Sequence, residues 1–261
     1  MMYQEKLYSI VDSFTLDTLP RTILLLGEYG CGKSTLISHI SSNIGLDIED
    51  ISDNLTTEYI DDITLRVVPK IYTINTERLT IKNENVILKF LEEPLKNAYI
   101  ILTAHDRRSV IPTVLNRCQV WKFDDYPKDY LVSLVSEDTQ NKDFLLKVAT
   151  TPGKIDLYKS FPLSDMFGLA SKIFDNIKVA NFANVMTIDK SLAFKQEKGK
   201  YDVDLFFEIL LIVSSDNCKS NTHKCYEVYE LTRKLNENKF IFNVDKKLLF
   251  DEYLIKLKML L

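Results

Sequence analysis

The sequence predicts an α/β domain built on a parallel sheet, followed by an all-helical C-terminal region. Three observations carry that prediction. Short apolar and β-branched runs alternate with helical patterns over the front of the chain, as in a doubly wound fold. A glycine-rich stretch from Gly27 to Ser34 joins the first such run to a helix. All seven prolines lie at or before Pro162, and the stretch beyond is rich in apolar residues at helical spacing.

Taken in order, Thr22-Ile23-Leu24-Leu25-Leu26 is long enough for one buried strand. It runs into Gly27-Glu28-Tyr29-Gly30-Cys31-Gly32-Lys33-Ser34, which reads G-x-x-x-x-G-K-[ST], the phosphate-binding P-loop. Glycines let such a backbone curl until its N–H groups point at phosphates. Lys33 supplies a point charge to the β- and γ-phosphates, and the Ser34 hydroxyl is placed for Mg²⁺. Thr35 continues into an amphipathic helix whose N-terminus faces the loop. The expected ligand is therefore ATP or ADP with Mg²⁺, held by residues 27–35, with Ser34 as the metal contact. Residues 34–65 carry seven acidic residues and no Lys or Arg, which predicts a solvated face that nucleic acid does not touch. Ile71-Tyr72-Thr73-Ile74 and Tyr99-Ile100-Ile101-Leu102-Thr103 read as buried parallel strands. Between them, residues 84–92 read as a helix that stops at Pro94. In the tail, Tyr201 to Val213 has a charged start and a broad apolar face. Leu248, Leu249, Tyr253, Leu254, Leu257, Leu260 and Leu261 mark a final helix.

Composition excludes some classes. A chain of 261 residues fits one large or two to three small domains. Hydrophobic content of 46% and charged content of 27% are those of an ordinary globular protein, and a net charge of −4 is not that of a polycation. No apolar stretch approaches the ~18 residues of a membrane span, and the N-terminus lacks a signal-peptide layout. A cytoplasmic chain with no membrane partner is expected. Cys31, Cys118, Cys218 and Cys225 form no C-x-x-C pair, so free thiols and no zinc are expected.

Several segments resemble one family. Asn85-Val86-Ile87-Leu88-Lys89-Phe90-Leu91-Glu92-Glu93-Pro94 resembles the "NALLKTLEEP" helix of the AAA+ subunits of DNA clamp loaders. Ala98 to Thr103 resembles the strand that carries sensor 1. Ile111-Pro112-Thr113-Val114-Leu115-Asn116-Arg117-Cys118-Gln119 resembles the stretch "LPTILSRCQ", whose arginine reaches a neighbouring subunit's ATP. Thr151-Pro152-Gly153-Lys154-Ile155 is similar to the turn that carries sensor 2. The C-terminal 236–245 stretch and its leucine helix resemble the end of a collar domain. The likeness is to the delta-prime and gamma subunits of bacterial DNA polymerase III, in a short, phage-type version. It implies an AAA+ nucleotide-binding domain over 1–122, a small helical lid over 123–178 and a helical collar over 179–261. It also implies partners: other clamp-loader subunits, a sliding clamp, and primer–template DNA met through the assembly. Lys154 would then contact nucleotide, and Arg117 would act as an arginine finger in trans.

Departures from the pattern bear on chemistry. The family's zinc-binding cysteine cluster is missing. The strand 71–74 ends in Asn75-Thr76, where the resemblance calls for Asp-Glu as metal carboxylate and general base. Weak or no intrinsic ATPase is therefore expected, and the double change Asn75→Asp with Thr76→Glu is expected to raise it. Glu77 is one position late and should point elsewhere unless the turn is shifted. Asn116 replaces a serine but leaves Arg117 in place, and Lys154 keeps a charge while losing arginine's fork. Plain alternatives stand beside these roles. Arg117 could pair with Asp124 or Asp125, and Lys154 could be a solvated helix residue. His105 reads as a strand-end surface histidine and Glu92-Glu93 as a helix end. An independent P-loop NTPase or nucleotide kinase is the second functional class.

Overall fold

In the computed structural model, residues 4–79, 81–92, 97–179, 202–218, 223–241 and 244–261 are described. The chain divides into two compact units, Met1–Tyr126 and Pro127–Leu261.

The first unit is the expected α/β domain. After α1 (Glu5–Asp12) come β1 (Thr22–Leu26), α2 (Lys33–Ile44), β2 (Ile48–Asp50), α3 (Thr57–Leu65) and β3 (Lys70–Asn75). A 3₁₀ turn (Thr76–Arg78), α4 (Ile81–Glu92), β4 (Ala98–Ala104), a second 3₁₀ turn (Arg107–Ser109), α5 (Pro112–Leu115) and β5 (Gln119–Lys122) complete it. The five strands form one sheet in the order β2-β3-β4-β1-β5, and every pair is parallel. Parallel strands buried on both faces read as unbroken apolar runs, which is why β1 and β4 are legible as such. Ile23, Leu25, Ile101, Trp121 and Phe123 pack with Leu36, Ile37 and Ile40 of α2 in one core cluster. In a second contact, Tyr72 meets Phe90 of α4 edge-on, ring centroids 6.2 Å apart.

The acidic stretch is exposed as expected at every acid but Glu49, which is half-buried, and several of its acids are paired. Glu49 accepts hydrogen bonds from Arg66 (2.8 and 2.9 Å), from Lys70 (3.0 Å) and from the Tyr59 hydroxyl. Arg66 also bridges to Asp62, and Arg78 to Asp53. The cations come from beyond residue 65, so the segment's composition alone could not show them. Tyr59 first and Arg66 second pull the Glu49 pKa from 4.5 down to about 2. A depressed carboxyl stabilises the fold above its unfolded pKa, and the gain is lost as pH falls through the folded one. Glu49→Gln should therefore cost about 1 kcal/mol near neutrality, the pair being partly exposed. The gap between the two proteins in urea midpoint should close between pH 4.5 and about 2. A gap that stays constant over that window counts against this role.

The second unit is all helical: α6 (Lys128–Ser133), α7 (Lys142–Val148), α8 (Pro152–Tyr158), α9 (Leu163–Val179), α10 (Val203–Asn217), α11 (His223–Asn238) and α12 (Lys246–Leu260). α10 packs on α7, α9 and α11, while α12 packs on α9 and α11. The segments expected as a lid over 123–178 and a collar over 179–261 fall, from Pro127 on, in this one unit, and residues 180–201 of the expected collar lie outside the described residues. Phe207 stacks on Phe250, which stacks on Tyr253, at centroid distances of 5.6 and 6.0 Å. The final helix buries Phe250, Tyr253, Leu254 and Leu257, whereas Leu248 is exposed. Lys258 donates to the Ile177 carbonyl (2.9 Å), satisfying a last-turn acceptor of α9.

Candidate functional site

The P-loop leaves the carboxyl end of β1, where ligands of open α/β sheets bind. Gly27 N–H donates to the Ala104 carbonyl (3.1 Å), which ties the loop's start to β4. A side chain at Gly27 would place its Cβ 2.6 Å from Cys31 Sγ and 3.0 Å from Phe123 Cβ, so only glycine fits. Gly30 and Gly32 have φ of +70° and +105°, a region that β-carbons disfavour. Gly32 caps α2, whose first turn presents the exposed residues Ser34 and Thr35. Cys31 is buried beneath the loop, and its carbonyl accepts from the Tyr126 hydroxyl at 3.0 Å. Tyr29 and Glu28 form the outer curve. Lys33 Nζ curls back to donate to the Gly27 and Glu28 carbonyls, the latter at 2.9 Å. Burial pushes the Lys33 pKa down, against the opposing pull of Cys31, Glu77 and Glu28. Every P-loop residue named from the sequence is thus gathered in one turn. A helix N-terminus, curled glycines and a lysine together make a cradle that suits phosphate oxygens.

The strand-end pair beside it is turned to structural work. The Asn75 amide N–H donates to Ser52 Oγ (2.9 Å), and its side-chain oxygen caps the Glu77 N–H (3.0 Å). Thr76 is 1% exposed and donates from its hydroxyl to the Thr103 carbonyl (3.0 Å). The expectation that Asp-Glu here would raise turnover is corrected on this point. Thr76→Glu would bury a carboxylate against a carbonyl oxygen and should destabilise the protein by several kcal/mol. A thermal melt checks this, and an unchanged midpoint sinks it.

Glu77, by contrast, reaches toward the P-loop's support from an exposed position. The 3₁₀ turn after β3 carries its Oε1 to within 3.2 Å of His105 Nδ1. His105 Nε2 in turn accepts the Tyr29 N–H of the P-loop at 3.0 Å. The histidine expected at the surface is therefore part of the loop's support.

Arg117 lies elsewhere in the first unit, and Lys154 belongs to the second. Arg117 follows α5, and its backbone carbonyl accepts from Thr22 Oγ1 (2.7 Å) at the amino end of β1. It sits at the opposite end of the sheet from the P-loop, about 17 Å of strand away. Its guanidinium pairs with Glu92 and donates to the Thr113 carbonyl (2.8 Å), so the partner is neither Asp124 nor Asp125. Lys154, in α8, is 2% exposed, and its Nζ lies 3.2 Å from both Glu208 oxygens. It is neither a solvated helix residue nor an open ligand contact.

The fold and the loop define an α/β domain on a parallel sheet that carries a P-loop at the end of its first strand. A family model described as DNA polymerase III, delta subunit, matches residues 45–127, a stretch that begins after the P-loop and includes β3, β4 and Arg117. The DNA polymerase III subunit delta' of Haemophilus influenzae is 38% identical over 80 residues, which is 30% of this chain and 23% of that protein's length. The chain is also similar to a DNA polymerase III gamma subunit-related protein of Thermotoga maritima (14% identity, 98% of each chain, TM-score 0.45). A further likeness is to the DNA clamp loader delta protein of Bacillus subtilis (10% identity, 99% of this chain and 100% of that one, TM-score 0.40). The resemblance to a clamp-loader subunit read from the sequence is borne out in the matched stretch. Among the described residues no helix is long and apolar enough to cross a membrane.

Proposed function

We propose that this chain binds ATP or ADP with Mg²⁺ at residues 27–35 and works as a delta-prime-like subunit of a clamp-loading assembly. The observation that carries the reading is the P-loop itself: Gly30 and Gly32 at positive φ, Lys33 curled over the loop carbonyls, and α2 directed at the same point. Ser34 would supply its hydroxyl to the metal, with Thr35 beside it at the nucleotide. Lys154 is left out, because its ammonium is committed to Glu208. Hydrolysis by the chain alone is slow, since Asn75 brings no charge to a metal and Thr76 is sealed in the fold. Arg117 faces away from its own loop, so it serves a neighbour's nucleotide, and Glu92 holds it until the neighbour arrives. A finger supplied in this way contributes roughly 10³- to 10⁵-fold in rate.

Purification from the native source tests the assignment. Co-elution with clamp-loader subunits, and a fall in a partner's ATPase rate with Arg117→Ala, are the expected results. A lone monomer whose Arg117→Ala form leaves every partner's rate unchanged ends the proposal.

A further inference from the structure

The parallel register brings two residues together that the sequence keeps apart. Asn75 of β3 pairs with Thr103 of β4, so Glu77 and His105, each two residues on, leave the sheet side by side. Leu26 pairs with Ala104, so His105 also borders the start of the P-loop. The hydrogen bonds fix the imidazole tautomer. An amide N–H donates to Nε2, so Nε2 carries the lone pair. Nδ1 therefore holds the proton and donates it to the Glu77 carboxylate.

We propose that His105 is the proton acceptor for nucleotide hydrolysis at this site and that Glu77 is its positioning residue. The inference rests on the P-loop's being a nucleoside triphosphate site. Asn75 and Thr76 are both spent on the fold, as described above, whereas the His105 lone pair is directed at the loop that would hold the phosphates. Carboxylate, imidazole and a lone pair turned to the substrate loop form the arrangement by which hydrolases activate a nucleophile. A phosphate in the loop competes for the Tyr29 N–H and so frees Nε2. The lone pair then takes a proton from water as the water oxygen bonds to the γ-phosphorus. The bond to the bridging oxygen breaks, and its electron pair leaves with the diphosphate. Glu77 stabilises the imidazolium, which afterwards returns its proton to solvent. A base that must first give up a loop amide accords with slow turnover.

Single-turnover hydrolysis of γ-labelled ATP with Mg²⁺ tests this, with ATP affinity measured alongside by calorimetry. His105→Ala should lower the rate at saturating ATP about 100-fold, whatever change in affinity the lost Tyr29 contact brings. Added imidazole should partly restore that variant but not Glu77→Gln. Nitrogen-15 NMR should show His105 protonated at Nδ1 in the parent and as a tautomer mixture in Glu77→Gln. If His105→Ala melts, His105→Asn keeps an acceptor for the Tyr29 N–H and should show the same loss of rate. Parental rates in the His105 variant that folds overturn the proposal, as does a parent that binds ATP and never hydrolyses it. A parent that binds no ATP instead overturns the reading of the P-loop.

Discussion

Lys33→Ala should abolish nucleotide binding. The ammonium lies against the carbonyls of Gly27 and Glu28, held at the loop by its own helix start. Burial has already removed part of its hydration, as the lowered pKa reports. Phosphate oxygens would replace carbonyl oxygens as its acceptors and add a full charge to the interaction. Hydrogen bonds to charged groups contribute about 1.5–3 kcal/mol each, so losing two weakens binding roughly 100-fold or more. The freed carbonyls lie in a partly exposed loop, so the fold should hold. Calorimetric titration with ATP and Mg²⁺ is the measurement. Equal affinity in parent and variant would place the ligand elsewhere.

The second large effect belongs to the helical unit. Glu208 on α10 meets Lys154 Nζ at 3.2 Å and Lys239 Nζ at 3.0 Å, and both lysine side chains are almost wholly buried. Lys239 also donates to the Asp204 carbonyl (3.1 Å). Glu208→Ala leaves two buried ammonium groups with no carboxylate between them. Breaking a buried pair in this way costs about 3–5 kcal/mol, a large share of an ordinary domain's stability. Lys154→Met should cost less, because Glu208 keeps Lys239. Replacing all three residues by apolar ones of similar size should recover most of the loss. Urea denaturation followed by circular dichroism reads each step. A Glu208→Ala protein with the parental midpoint would show that the network adds nothing.

These residues also mark how far the sequence could be read. β1, the P-loop and α2 were legible because their signals are local: an apolar run, fixed glycines and a helix start within one short stretch. The strands β3 and β4 were legible as apolar runs for the same reason. The Glu77–His105 pair was not, because it is made by strand register, which no short window of sequence contains. Lys154 misled because a lysine beside a motif looks solvated until its partner is known, and Glu208 lies on a helix far along the chain. Arg117 had nearby acids in sequence, yet α4 brings Glu92 closer in space. In the last helix the leucine spacing gave the element but not its phase. Phe250 settles the buried face by stacking between Phe207 and Tyr253, which leaves Leu248 outside.

The strand order has a consequence for a chain still being made. β1 leaves the ribosome before the other four strands of its sheet, but both of its neighbours, β4 and β5, are contributed by residues 98–122. Until those residues emerge, β1 has two open edges and nothing in the sheet to pair with. The loop that follows it is tied to Ala104 and packed on Phe123, so it too lacks its supports. The P-loop precedes in sequence the residues that complete its supports, which come near the end of its unit. A nascent chain stalled before residue 98 should therefore be unable to retain nucleotide, however long it waits.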